Sequence, residues 1–221
     1  EERAYQMCCF FINLQRYIMM RVKFDDALET LALLKPRLTF LTAKSASGKT
    51  YLSDALKEEG FVILELDNIV RSLGKKYAEG TAPNYSKAYN VYKNQSSNAL
   101  KKDFISHIHA FIDANYNKPI IIEGAISSAE LIRKIFSRKY ASFTFIYLLP
   151  SSIKRYTERI TERYNKDIKN RTTTLAGIET INKDKKLSTE LSRLAKDAMM
   201  KSIERYEYFI KSGFEIYTIL V

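Results

Sequence analysis

Residues Ala43–Thr50 read AKSASGKT. They follow the apolar run Leu38-Thr39-Phe40-Leu41-Thr42 and precede an amphipathic stretch, Tyr51 to Glu59. Strand, tight loop and helix in that order form a phosphate loop. Backbone N–H groups of such a loop wrap around phosphates, and the helix N-terminus adds the positive end of its dipole. Lys49 is placed to reach β- and γ-phosphates, and the Thr50 hydroxyl to ligate Mg²⁺. Ala43, Ser45, Ala46, Ser47, Gly48, Lys49 and Thr50 are therefore the expected contacts for ATP, with GTP as the alternative nucleotide and Mg²⁺ as the implied metal. The first position is Ala43 where the full motif has Gly. Ala fills such a turn only if its φ stays negative.

The chain has 221 residues, enough to bury a full core in one domain or one domain with appendages. Its two cysteines, Cys8 and Cys9, are adjacent, so a mutual bridge is geometrically poor. Without a disulfide framework a reducing compartment is favoured, and a cytoplasmic protein is expected. The apolar stretch from Met7 to Met20 contains Asn13, Gln15 and Arg16, and is too short and too polar to span a bilayer. The formal net charge of +11 implies an anionic partner: a nucleotide, a nucleic acid or an acidic membrane surface. A solvated basic surface accounts for the same charge equally well.

Residues 1–34 read as an N-terminal helical extension. Phe10, Phe11, Leu14, Ile18 and Val22 recur near helical spacing, and Phe24 to Leu34 reads as a second amphipathic helix with Asp25 and Asp26 at its start. From Arg37 onward, short strand candidates alternate with helical segments. The strands are Leu38–Thr42, Phe61–Glu65, Pro119–Glu123, Phe143–Leu148 and Phe214–Leu220; the helices are 49–59, 67–78, 86–115, 127–139, 150–167 and 185–212. Five strands with helical crossovers predict an α/β fold, a doubly wound parallel sheet with helices on both faces. Ligands then bind at the carboxyl ends of the strands. The polar stretch Lys166 to Thr174 reads as a loop.

Three further groups fall at such strand ends. Ile120-Ile121-Ile122-Glu123-Gly124 closes an apolar strand on a carboxylate that can hold Mg²⁺ through water, with Gly124 allowing a close turn beside the phosphates. Leu64-Glu65-Leu66-Asp67 closes another. Asp67 can accept a proton from an attacking hydroxyl or orient it, and Arg71, one helical turn on, can pair with an anionic acceptor. The competing reading of Asp67 is a helix N-cap, and Glu65 is the fallback base. After Leu149-Pro150-Ser151-Ser152, Arg155, Arg159 and Arg163 line one helical face beside an apolar face of Ile153, Tyr156, Ile160 and Tyr164. Such a helix can clamp a γ-phosphoryl group and exclude water. Glu158 and Glu162 offer the alternative of surface ion pairs. His107 and His109 sit two apart on a helix, point to different faces and read as structural. Tyr85, Tyr89 and Tyr92 read as a packed stripe rather than a base-stacking surface.

These features together resemble the P-loop kinases of the nucleoside and nucleotide kinase type, within the P-loop NTPase superfamily, over residues 37–221. The resemblance implies strand order 2-3-1-4-5, a kinase domain over 35–221, an acceptor-binding insertion at about 67–115 and a lid at about 150–180. It implies transfer of the γ-phosphoryl group of ATP, with Mg²⁺, to a hydroxyl or phosphate of a small, nucleoside- or nucleotide-like acceptor. Lys49, Asp67, Arg159 and Arg163 would then be catalytic, Arg155 would contact the nucleotide, Asp67 and Arg71 the acceptor, and Thr50 and Glu123 the metal. The chain departs from the pattern at Ala43 and lacks a compact arginine-rich lid signature. Two other functions fit the sequence. One is a kinase acting on a nucleic acid end or modified base through Lys101, Lys102, Arg133, Lys134, Arg138 and Lys139. The other is a nucleotide-dependent switch that docks through residues 1–34.

Overall fold

The structure, a computed structural model, describes residues 21–77, 98–137, 140–170, 180–182 and 184–221. Several expectations lie outside those residues: the helical spacing from Phe10 to Ile18, the cysteine pair, the tyrosines at 85, 89 and 92, the helix start at 86–97, Arg138 and Lys139, and the polar stretch beyond Asn170. In chain order the elements are β1 (Arg21–Lys23), α1 (Phe24–Leu34), β2 (Leu38–Thr42), α2 (Lys49–Glu58), β3 (Val62–Glu65), α3 (Leu66–Tyr77), α4 (Asn98–Ala114) and β4 (Ile120–Glu123). There follow α5 (Ala129–Ile135), β5 (Thr144–Leu149), α6 (Ile153–Asn170), α7 (Leu187–Lys211) and β6 (Tyr217–Leu220). Among the described residues no helix is long and apolar enough to cross a membrane.

The sheet runs β1-β6-β5-β2-β4-β3, and every pairing is parallel. Without β1, the other five strands stand in the order 2-3-1-4-5 that the resemblance implies. The addition is β1. Val22, read above on a helical face, lies in this three-residue strand, paired with Ile219 of β6. The helix that follows, α1, packs Ala27 and Leu31 among Leu52 and Leu56 of α2.

Alternation along the strands sorts the core into two layers. Phe40, Ile120, Ile122, Phe145 and Tyr147 face the side covered by α3, α4, α5 and α7. Leu41, Ile121, Ile146 and Leu148 face α1 and α2. On the first side Phe145 meets Phe40 at 5.1 Å and Phe209 of α7 at 5.3 Å between ring centroids. Full burial of each ring contributes roughly 1.5–3 kcal/mol, which anchors α7 to the sheet. Two hydroxyl bonds add direction. Tyr147 donates to the Ser202 carbonyl at 2.9 Å, and Thr218 donates to the Tyr206 hydroxyl at 3.1 Å.

His107 and His109 are structural: His107 Nδ1 meets the Asp103 carbonyl and His109 Nε2 the Ile135 carbonyl, each at 2.8 Å.

Gly124 has a different reason from the one its position suggests. Its φ is not in the left-handed region, so it supplies no special turn. A Cβ there would stand 2.7 Å from the Leu66 side chain, closer than atoms tolerate. Glycine is needed so that β4 can pass under the first residue of α3. Gly124→Ala should cost about 1–3 kcal/mol by overpacking, read as a lower midpoint of thermal unfolding, and should displace the start of α3.

Candidate active site

The site grows from the end of β2. Ala43 is fully buried and keeps a negative φ, which is the condition for Ala at this position. The loop turns instead at Ala46, φ 63°, and Gly48, φ 85°. The left-handed region costs a non-glycine residue roughly 1–2 kcal/mol. At Ala46 this is offset by packing of the methyl group against Tyr156, Ile160, Leu191, Leu194 and Ala195. Gly48 is the N-cap of α2, so the first N–H groups of that helix open into the loop.

Lys49 opens α2, with its amine in the fields of Glu123, Asp67, Arg163 and Arg205. Burial holds its pKa below the ordinary lysine value; the two carboxylates oppose that shift and the two arginines add to it. Asp67, Glu123 and Arg163 thus lie within electrostatic reach of Lys49 at the end of the phosphate loop.

Glu123 is buried at the end of β4, beside Leu41 of β2 and Glu65 of β3 in strand register. Ser53 of α2 donates to Glu123 Oε2 at 2.6 Å. Burial raises the Glu123 pKa, the Ser53 bond and Lys49 lower it, and Glu65 and Asp67 raise it further. Thr50, Ser53, Glu65 and Glu123 all line a cavity of about 310 Å³. A buried carboxylate held in place by a hydroxyl, with a second hydroxyl on the same wall, is an oxygen-donor set that fits Mg²⁺. Glu123→Gln keeps size but removes the charge that favours the ion. The Mg²⁺ concentration needed for half-maximal turnover should rise about tenfold or more, with metal-free nucleotide affinity little changed. An unchanged metal dependence would reduce Glu123 to a strand terminus.

Asp67 lies in the first turn of α3, which begins at Leu66, so it is not the N-cap. It is exposed to the cleft and interacts with both Lys49 and Glu123. Arg71, one turn on, is exposed. Glu65 accepts a bond from Asn68 at 3.2 Å.

The arginines of α6 separate. A Cβ built on Gly48 would lie 4.0 Å from Arg159 Nη1, so this guanidinium stands directly over the loop. Arg163 acts on Lys49. Arg155, one turn before Arg159, is exposed. The apolar face of α6 packs Tyr156 and Ile160 on α7 with Tyr164 against them, whereas Ile153, read above on the same face, is exposed. Tyr156 also donates to the Ser45 carbonyl at 2.7 Å, and burial pushes its pKa up to about 12. Lys166 to Asn170, read above as loop, continues α6.

Several residues of the cleft carry no sequence signal. Ser53 lies one turn after Thr50, a spacing that puts both hydroxyls on one helix face, yet any surface serine has that spacing. Lys44 has its pKa lowered to about 8 by burial and by Arg205 and Lys201. Both of those cations come from α7, and only tertiary packing brings them to the loop.

The family model described as Zeta toxin matches residues 23–207. No curated protein matches the chain. Among solved structures, a gluconokinase from Sinorhizobium meliloti 1021 is 13% identical, over 78% of this chain and 97% of its own, with a TM-score of 0.40. A structure from the PezAT chromosomal toxin-antitoxin system of Streptococcus pneumoniae is 13% identical, over 87% of this chain and 99% of its own, with a TM-score of 0.32.

Proposed function

This chain belongs to the Zeta toxin family, and on that premise we propose that it is an ATP-dependent kinase transferring the γ-phosphoryl group to a hydroxyl of a small, nucleoside- or nucleotide-like acceptor. One observation carries the reading: the buried Lys49 amine is within electrostatic reach of the carboxylates of Asp67 and Glu123 and of the guanidinium of Arg163. A phosphate acceptor is already ionised and needs no base. A hydroxyl acceptor needs one, and Asp67 is a carboxylate open to the cleft next to the phosphate-binding lysine.

In the proposed step the acceptor oxygen attacks the γ-phosphorus, and a new P–O bond forms as the bond to the β,γ-bridging oxygen breaks. The acceptor proton goes to the Asp67 carboxylate, and ADP leaves with the bridging oxygen. Lys49, Arg159 and Arg163 offset the charge on the phosphoryl oxygens, and the loop N–H groups hold the phosphates in line. Thr50 and Glu123 would hold Mg²⁺, which supplies charge neutralisation on the β- and γ-oxygens when bound. Tyr156 ties α6 to Ser45, so the arginines are positioned relative to the loop before the nucleotide arrives.

The nucleic-acid reading loses two of its cations to partners within the chain. Arg133 donates to the Ser212 carbonyl and stands 5.0 Å over the Phe214 ring. Lys134 pairs with Glu130 at 2.6 Å. The experiment is ADP release from ATP across a panel of nucleosides, nucleotides and short DNA and RNA oligonucleotides, at two salt concentrations. Acceptor-dependent release with a small molecule, little affected by salt, is the expected result. Release only with a polymer, falling steeply with salt, would overturn the small-acceptor assignment.

A further inference from the structure

The geometry points to Arg205 of α7 as a direct contact for the transferable phosphoryl group, a cation supplied from outside both the phosphate loop and the arginine-bearing helix; this rests on the kinase reading above. Arg205 is half-buried, but its Nη1 is fully buried and has no hydrogen-bond partner among the described residues. A guanidinium nitrogen withdrawn from water without a partner is destabilising, and such an orphan calls for an explanation. Here the explanation is a partner that arrives with the ligand.

The backbone around Arg205 is fixed from both sides. Ser202 is held by Tyr147 of β5, and Tyr206, the next residue, by Thr218 of β6. The guanidinium fork is thus carried on a rigid element anchored to β5 and β6. A fork with several donors in one plane suits phosphate oxygens.

Arg205 shares its surroundings with other cations, beside the carboxylates of Asp67 and Glu123. Lys44, the second residue of the loop, feels Arg205 and Lys201, with Glu204 as the opposing charge. Lys49 also feels Arg205. Like charges gathered in a partly buried cleft destabilise the nucleotide-free protein and are favourable only around an anion. The position of that anion follows from Lys49. This amine is the one expected at the β- and γ-phosphates, and Arg205 lies within electrostatic reach of it and of Lys44 in the same loop, which assigns it to the phosphate end rather than to the nucleoside. Arg159 and Arg163 approach from α6, and Arg205 meets the same group from α7.

The test uses the full chain with Mg²⁺ and two nucleotides, ADP and a non-hydrolysable ATP analogue with an imido group between its β- and γ-phosphates. Arg205→Met keeps the length of the side chain and removes its charge. Affinity for the analogue should fall about tenfold or more while affinity for ADP changes by less than about threefold. The nucleotide-free midpoint of thermal unfolding should stay level or rise, because the orphan cation is gone. Arg205→Lys should recover part of the preference for the triphosphate. An equal loss for both nucleotides, or no loss for either, overturns the assignment. So does a lower nucleotide-free midpoint with the triphosphate preference intact, which would make Arg205 a structural residue. A wild-type chain that bound neither nucleotide would overturn the kinase reading and this inference together, a result distinct from all of these.

Discussion

Lys49→Ala should reduce phosphoryl transfer by about 10³-fold or more and leave the fold intact. The amine is the cation placed by the loop at the β- and γ-phosphates, where charge must be offset throughout the transfer. Nothing replaces it from the same position: Arg159 lies over Gly48 from the α6 side, and Arg163 and Arg205 act on the lysine from across the cleft. The fold does not depend on it, because Lys49 belongs to none of the three apolar clusters. Its lowered pKa points the same way. A lysine whose folded pKa lies below its unfolded value is destabilising in its charged form, and the deficit fades as pH rises through the folded and towards the unfolded pKa. At neutral pH the nucleotide-free alanine variant should therefore unfold at the same temperature or higher. Turnover and a thermal unfolding curve on one preparation check both halves. Near wild-type turnover would remove the phosphate-loop reading, and a collapsed unfolding midpoint would make the loss of activity uninformative about Lys49.

Legibility from sequence follows the range of the interactions. The loop could be read because its function is local: AKSASGKT needs only the strand before it and the helix after it. Glu123 could be read because it closes β4, and Asp67 because it follows the end of β3 in the first turn of α3; a parallel sheet gathers such strand ends at one edge. Arg159 and Arg163 followed from helical spacing, but spacing alone could not separate them from Arg155, which shares their face and remains exposed. That distinction depends on the tilt at which Tyr156 and Ile160 seat α6 on α7.

Other features arise from tertiary packing. β1 is three residues long, too short for period-2 alternation to declare itself, and it exists because β6 offers an edge. Gly124 was legible as important but not for its reason, since the atom it must avoid belongs to Leu66 on another element. Lys44, Lys201 and Arg205 read as ordinary surface cations in a chain of net charge +11. The packing of α7, anchored by Tyr147 and Thr218, is what brings Arg205 within electrostatic reach of Lys44 and Lys49. The charge that first suggested a polymer partner is thus partly concentrated at the phosphate loop itself.

Asp67→Asn separates a base from an orienting group. Asp67 sits in the first turn of α3 and is exposed, so the substitution removes a favourable interaction with the helix dipole, worth about 0.3–1 kcal/mol, and takes no side chain from the apolar core. Asn cannot take a proton at neutral pH, though its side-chain oxygen can still accept a hydrogen bond from a hydroxyl. If Asp67 receives the acceptor proton, kcat should fall by roughly 10²–10⁴-fold with ATP affinity little changed. If it only orients the acceptor, the loss should be smaller and appear mainly in the acceptor KM. The base is the role proposed above, because this carboxylate acts electrostatically on Lys49, the lysine assigned to the phosphates. If neither parameter moves, Asp67 serves α3 alone and the base must be sought at Glu65. That residue accepts a bond from Asn68 and stands beside Glu123 in the strand register. Glu65→Gln, measured in the same assay, should leave kcat within about threefold of wild type if Asp67 is the base, and a larger fall there than at Asp67 would reverse the assignment.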